Sequence, residues 1–184
     1  CALGESFKFL GDSKNNARAR VLGETVETAT QGILDHGRSP SRKVGEPDNR
    51  DSHYWFARYW AEALAAQSDD AALAEEFGPI AKALAENEDK ITGELAAVQG
   101  KPADIGGYYH PDDAKLASVM RPSATLNDDE QASARRLIDA ASQRLSKLDG
   151  VDPGVFVARM NELLATCSDE RAGHALAMCV SSDH

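Results

Sequence analysis

The chain has 184 residues, 42% of them hydrophobic and 27% charged, with 20 basic against 30 acidic side chains and a formal net charge of −10. That length suits about one domain, and the acidic surplus argues against nucleic acid as a partner, because phosphate backbones call for positive charge clustered over a whole face. No apolar run nears the roughly 20 residues of a membrane-spanning helix, and no basic amphipathic helix is present to lie on a membrane surface.

Cys1, Cys167 and Cys179 make no CxxC spacing, so neither a zinc site nor a redox motif is expected. Sparse, odd-numbered cysteines suit a reducing cytoplasm. The chain opens on Cys1, as a processed lipoprotein also would, but it runs straight into apolar pattern (Leu3, Phe7, Leu10) with no flexible tether. It reads as a piece of something longer.

Nearly every segment reads as helix. Asp12 or Ser13 is placed to cap a helix reaching about Leu34, with Leu22, Val26, Ala29 and Ile33 as its apolar stripe and Gly37 as its stop. A loop with Pro40 and Pro47 follows. Asp51 or Ser52 then opens His53–Leu64, apolar and aromatic on more than one face, as suits a helix buried mid-domain. Asp69 is the expected cap of the next helix, which Gly78-Pro79 interrupts. Pro79 fits the first turn of a new helix running to about Val98 and ending at Gly100.

Residues 103–109 (Ala-Asp-Ile-Gly-Gly-Tyr-Tyr) form the one convincing non-helical hydrophobic stretch, expected as a short strand with a turn or bulge at the glycines. Asp112 or Asp113 starts a short helix ended by Arg121-Pro122. Three further helical segments are expected, opened by Asn127 or Asp128, by Asp152-Pro153 and by Ser168. The fold class is therefore a mainly α segment with one short strand.

Catalytic constellations are thin. His36, His53, His110, His174 and His184 stand singly, Glu86–Asp89 and Asp128–Glu130 read as solvated helix faces or caps, and no metal-ligand spacing stands out. Gly106-Gly107 lacks the spacing of a phosphate loop. The stretch 38–50 is different. It gathers Arg38, Arg42, Lys43 and Arg50 with Ser39 and Ser41 in an otherwise acidic chain. Guanidinium, ammonium and hydroxyl groups beside a helix start suit a phosphate or polycarboxylate. A solvated loop with ion pairs to Glu46 and Asp48 is the competing reading.

Several strings point further: Ser39-Pro40-Ser41-Arg42-Lys43-Val44-Gly45-Glu46, Asp48-Asn49-Arg50, Tyr59-Trp60-Ala61, Leu64-Ala65-Ala66-Gln67, the run 83–90, Val98-Gln99-Gly100-Lys101-Pro102, Asp104-Ile105-Gly106-Gly107-Tyr108-Tyr109 and Val119–Thr125. In this order, over about residues 2–127, the chain resembles the C-terminal part of the monomeric NADP-dependent isocitrate dehydrogenases. The resemblance implies a cytoplasmic bacterial oxidoreductase of the tricarboxylic acid cycle and glyoxylate bypass, with two α/β domains and the active site between them. Such enzymes oxidise isocitrate, pass a hydride to NADP and decarboxylate the intermediate to 2-oxoglutarate, with Mg²⁺ or Mn²⁺ as Lewis acid.

Most of the family's functional positions fall outside the resembling stretch, including the metal-binding aspartates and the isocitrate-binding residues. No catalytic and no metal-binding residue transfers to this chain. The position that transfers is Arg42, whose counterpart binds the 2′-phosphate of NADP, with Ser41 and Lys43 near enough to help. Residues 1–127 are thus expected to be a C-terminal, coenzyme-contacting segment of the first domain, inactive alone. Residues 128–184 do not share the resemblance and read as a helical extension. A non-catalytic helical interaction module derived from such an enzyme is the alternative.

Overall fold

A computed structural model describes residues 2–128, together with 154 and 158. The chain divides into two units, Cys1–Asp129 and Glu130–His184. The helix expected to open at Ser168 lies outside the described residues, as do all three cysteines; of the one expected from Asp152, Gly154 and Ala158 are described, and both are helical.

The described part of the first unit is helical: α1 (Ala2–Ser13), α2 (Ala17–Asp35), α3 (Asn49–Ala66), α4 (Ala71–Glu86), α5 (Glu88–Ala96) and α6 (Asp113–Met120). A further helical stretch begins at Ala124. α1 packs on α2, α2 on α3 and α3 on α4, while α5 reaches back to α3. The main core joins Tyr54, Trp55 and Ala61 of α3 to Ala81 and Leu84 of α4 and to Ile91 and Leu95 of α5. A smaller cluster joins Val21, Leu64 and Leu73. The aromatic run of α3 is core material, as its circumference suggests: Tyr54 is 1% exposed, and its hydroxyl donates to the Leu84 carbonyl at 2.8 Å.

The helix starts need correction. Asp12 and Ser13 close α1 instead of opening α2. The α2 cap is Asn16, whose Oδ1 accepts from Ala19 N at 3.1 Å. Leu3, Phe7 and Leu10 have helical spacing of their own, and Asn15 takes a left-handed φ of +51° that separates the two helices. α3 begins before Asp51: Asp48 is its cap, and Asp51 is the third residue of a reciprocal capping box. Asp70, not Asp69, caps α4.

α4 runs through Gly78-Pro79 without a break. Pro79 cannot donate to the Glu75 carbonyl, but both residues are exposed, so water can serve the freed carbonyl. Burial of Leu73, Ala81 and Leu84 keeps the helix continuous on its other side. The break falls instead at Asn87. Apolar spacing continues across it to Ile91 and Leu95, which is why the two helices read as one.

No strand occurs among the described residues, so the expected strand at 103–109 is overturned. A strand needs a neighbouring ladder, and this segment closes on itself. Asp104 Oδ1 accepts from Gly106 N at 2.9 Å, Asp112 N donates to the Ile105 carbonyl at 2.8 Å, and both glycines have positive φ. α6 has the expected bounds, with Asp112 as cap and Arg121 at its end. The next helical stretch starts at Ala124, ahead of Asn127 and Asp128. Ser123 holds its first turn, its Oγ accepting from Leu126 N at 3.0 Å.

Candidate functional site

Residues 38–48 connect α2 to α3 as a loop because two prolines and Gly45, at φ +86°, prevent a continuous helix. Hydrogen bonds hold the loop at both ends. Ser52 Oγ donates to the Arg38 carbonyl at 2.9 Å. Ser41 N donates to the Pro47 carbonyl at 2.7 Å and Glu46 N to the Lys43 carbonyl at 3.2 Å. Asp48 then caps α3.

The four cations of this stretch have different fates. Arg50 is structural: its guanidinium grips the Asp48 carboxylate and donates from Nη1 to the Val119 carbonyl at 2.7 Å, with the side chain 16% exposed. Burial pushes the Asp48 carboxyl up, but the hydrogen bonds from Arg50 and from the first backbone amides of α3 outweigh it, and the net shift is downward. Arg38 turns onto α3, its Cζ 3.8 Å from the centre of the Trp55 ring and its buried Nε without a hydrogen-bond partner. Arg58 approaches the same ring at 5.2 Å and pairs with Glu62 and Glu88, so its proton is held above the usual arginine range despite desolvation.

Lys43 remains exposed and lies 3.4 Å from Glu46. Ser41 Oγ also donates to Glu46, at 2.5 Å, and accepts from Lys43 N at 3.2 Å. The two neighbours expected to assist Arg42 are therefore engaged with an internal carboxylate. Arg42 is exposed, and among the described residues its guanidinium makes no hydrogen bond or ion pair. The loop presents one unengaged fork-shaped cation to solvent.

A residue that sequence reading missed completes this arrangement. Gln99, in the turn after α5, accepts from Gly45 N at 2.9 Å through Oε1 and donates through Nε2 to the Glu46 carbonyl at 3.2 Å and to Asp48 Oδ2 at 3.3 Å. Its only sequence signal is membership of the Val98–Pro102 string.

The other sites considered do not assemble. Asp104 occupies the turn at Gly106, so a carboxylate sits where an anion loop would need open amides. His36 lies tilted against Tyr59 with centroids 5.4 Å apart, and His53 and His110 are exposed. His174 and His184 lie outside the described residues. Among the described residues no group of three or more His, Cys, Asp or Glu side chains could hold a metal ion, and no helix is long and apolar enough to cross a membrane.

Residues 1–129 match the sequence model of the monomeric isocitrate dehydrogenase family. The chain is 56% identical over 126 residues to isocitrate dehydrogenase (NADP) of Azotobacter vinelandii, covering 68% of this chain and 17% of that relative. It is 52% identical over 126 residues to isocitrate dehydrogenase (NADP) 2 of Mycobacterium tuberculosis, with the same coverage of each chain. It is 50% identical over 127 residues to isocitrate dehydrogenase (NADP) of Corynebacterium efficiens, covering 69% of this chain and 17% of that one. The chain thus spans about 17% of the length of the curated relatives it matches.

Proposed function

The chain belongs to the monomeric isocitrate dehydrogenase family, and from that premise we propose that it is the coenzyme-contacting segment of an NADP-dependent isocitrate dehydrogenase, with Arg42 as a ligand of the NADP 2′-phosphate. The observation that carries this reading is the state of Arg42: exposed and unengaged among the described residues, on a loop whose other cations are committed. A guanidinium offers two parallel N–H donors to a dianionic phosphoryl group. NAD lacks that group, so the interaction discriminates between the coenzymes.

The reaction assigned to the whole enzyme is oxidation of isocitrate with hydride transfer to NADP, followed by decarboxylation to 2-oxoglutarate in the cytoplasm. The Mg²⁺ or Mn²⁺ such chemistry uses finds no ligand set among the described residues. The helical unit is assigned to the first of two α/β domains. This chain alone is expected not to turn over isocitrate with NADP and Mn²⁺, and steady-state turnover by the purified chain refutes that.

Arg42→Ala tests the central assignment. It should lower affinity for a 2′-phosphorylated adenosine ligand by about 1.5–3 kcal/mol, the scale of one charge-assisted hydrogen-bonding group. Affinity for the ligand without that phosphate should hold. Equal losses for both mean a structural role.

A second reading, a non-catalytic interaction module, draws on Tyr108 and Tyr109, stacked edge to face and 87% and 88% exposed. Retained partner binding in a chain without coenzyme affinity favours it.

A further inference from the structure

Arg42 has no side-chain tie of its own among the described residues, so its position depends on the backbone that carries it. The Ser41 N to Pro47 O and Glu46 N to Lys43 O bonds fold residues 41–47 back on themselves. This closed turn must still be placed relative to the helices, and the turn after α5 does that. Gln99 spans Gly45, Glu46 and Asp48 with a single side chain, using its carbonyl oxygen on the first and its amide nitrogen on the other two. Next to it, Gly100 has φ +66°, and a Cβ there would come within 3.1 Å of Val44 Cγ1. Residues 99 and 100 therefore contact 44, 45, 46 and 48 together, just after Arg42.

Directional recognition of a phosphate by a planar fork tolerates little displacement, and pre-ordering the loop lowers the entropy lost on binding. We propose that Gln99 is a positioning residue for Arg42: it fixes the 41–47 turn so that the guanidinium is presented for a 2′-phosphate, and so contributes to discrimination between phosphorylated and unphosphorylated adenosine ligands. This rests on the reading of Arg42 as the phosphate ligand. Gln99 touches no ligand in this scheme. It acts through the backbone at Gly45 and Glu46.

The test uses the ¹⁵N-labelled full chain with Gln99→Met, which keeps length and volume but removes all three hydrogen bonds, and Gly100→Ala, which pushes on Val44. Amide exchange at Gly45 should speed up about tenfold or more in Gln99→Met, as one lost bond of this kind implies. Titration with adenosine 2′,5′-bisphosphate should show about tenfold weaker binding in both variants, with 5′-AMP binding unchanged. In an Arg42→Ala background, Gln99→Met should add nothing. Unchanged Gly45 exchange, unchanged bisphosphate affinity, or equal loss for both ligands overturns the role of Gln99 while leaving Arg42 in place. A wild-type chain without preference for the bisphosphate, or an Arg42→Ala chain that keeps it, overturns the Arg42 reading and this proposal with it.

Discussion

Thr125 donates twice to Glu94, from its backbone N to Oε2 at 3.1 Å and from Oγ1 to Oε1 at 2.9 Å. Ser123 Oγ adds a third bond at 2.7 Å. One carboxylate on α5 thereby anchors the segment that follows α6, and both hydroxyl residues are buried. Charge-assisted bonds to an ionised acceptor are stronger than neutral ones.

Glu94→Gln should therefore destabilise the unit by about 1–2 kcal/mol, read as a lower urea midpoint at constant slope. The hydrogen bond from Ser123 is the main cause holding the Glu94 carboxyl below its usual 4.5. A carboxyl depressed on folding stabilises fully above its unfolded value, and this contribution fades as pH falls through the folded value. Wild type should lose more stability than Glu94→Gln as pH drops below about 4.5. Parallel pH profiles for the two proteins speak against it.

The α1–α2 contact makes a second expectation. A Cβ on Gly23 would lie 3.0 Å from the Gly4 carbonyl oxygen and 3.1 Å from Lys8 N, both backbone atoms of α1. Gly23→Ala should destabilise by about 1–2 kcal/mol despite alanine's better helix propensity. Gly93, in α5, has nothing within 4 Å of its added Cβ. Gly93→Ala should stabilise by about 0.5–1 kcal/mol. Thermal melts of the pair must move in opposite directions.

Pro79 allows a direct choice between two readings of one motif. A proline in the first turn of a new helix costs nothing, whereas inside α4 it deprives the Glu75 carbonyl of a donor. Pro79→Ala should raise stability by about 1–3 kcal/mol. An unchanged melting temperature favours the helix break inferred from sequence.

The sorting of the loop cations predicts a split between stability and binding. Arg50→Ala removes the partner of a part-buried Asp48 and the donor to Val119, and should cost about 2–3 kcal/mol of folding stability. Arg42→Ala should leave the unfolding free energy from urea titration within about 0.5 kcal/mol of wild type, as surface substitutions do. If Arg42→Ala unfolds the chain as readily as Arg50→Ala, the division of labour is wrong.

Local chemistry was readable wherever a residue acts on its own neighbours. The Asp112 cap, the stop at Gly37 and the two prolines of the basic loop act within one turn of chain, and each is found where its residue type predicts. Local signals mislead where two of them compete. Asp12 and Asn16 are both good caps, and the choice between them depended on α1 being a helix in its own right. The composition of the tyrosine-rich segment suits a strand, but strand pairing is a property of two segments and cannot be read from one.

Periodicity, composition and ordered motifs are properties of the chain in one dimension, so the helical class, the aromatic core helix, the family and the cationic loop are legible before folding is considered. Packing in three dimensions is what separates Arg50 and Arg38 from Arg42 and what brings Gln99 to Gly45 across 54 positions. The reason is physical. Glu46 and Asp48 lie within three residues of Lys43 and Arg50 and are visible as partners in the sequence, whereas the meeting of Arg38 with the Trp55 ring and of Arg50 with the Val119 carbonyl is set by packing between segments distant in sequence.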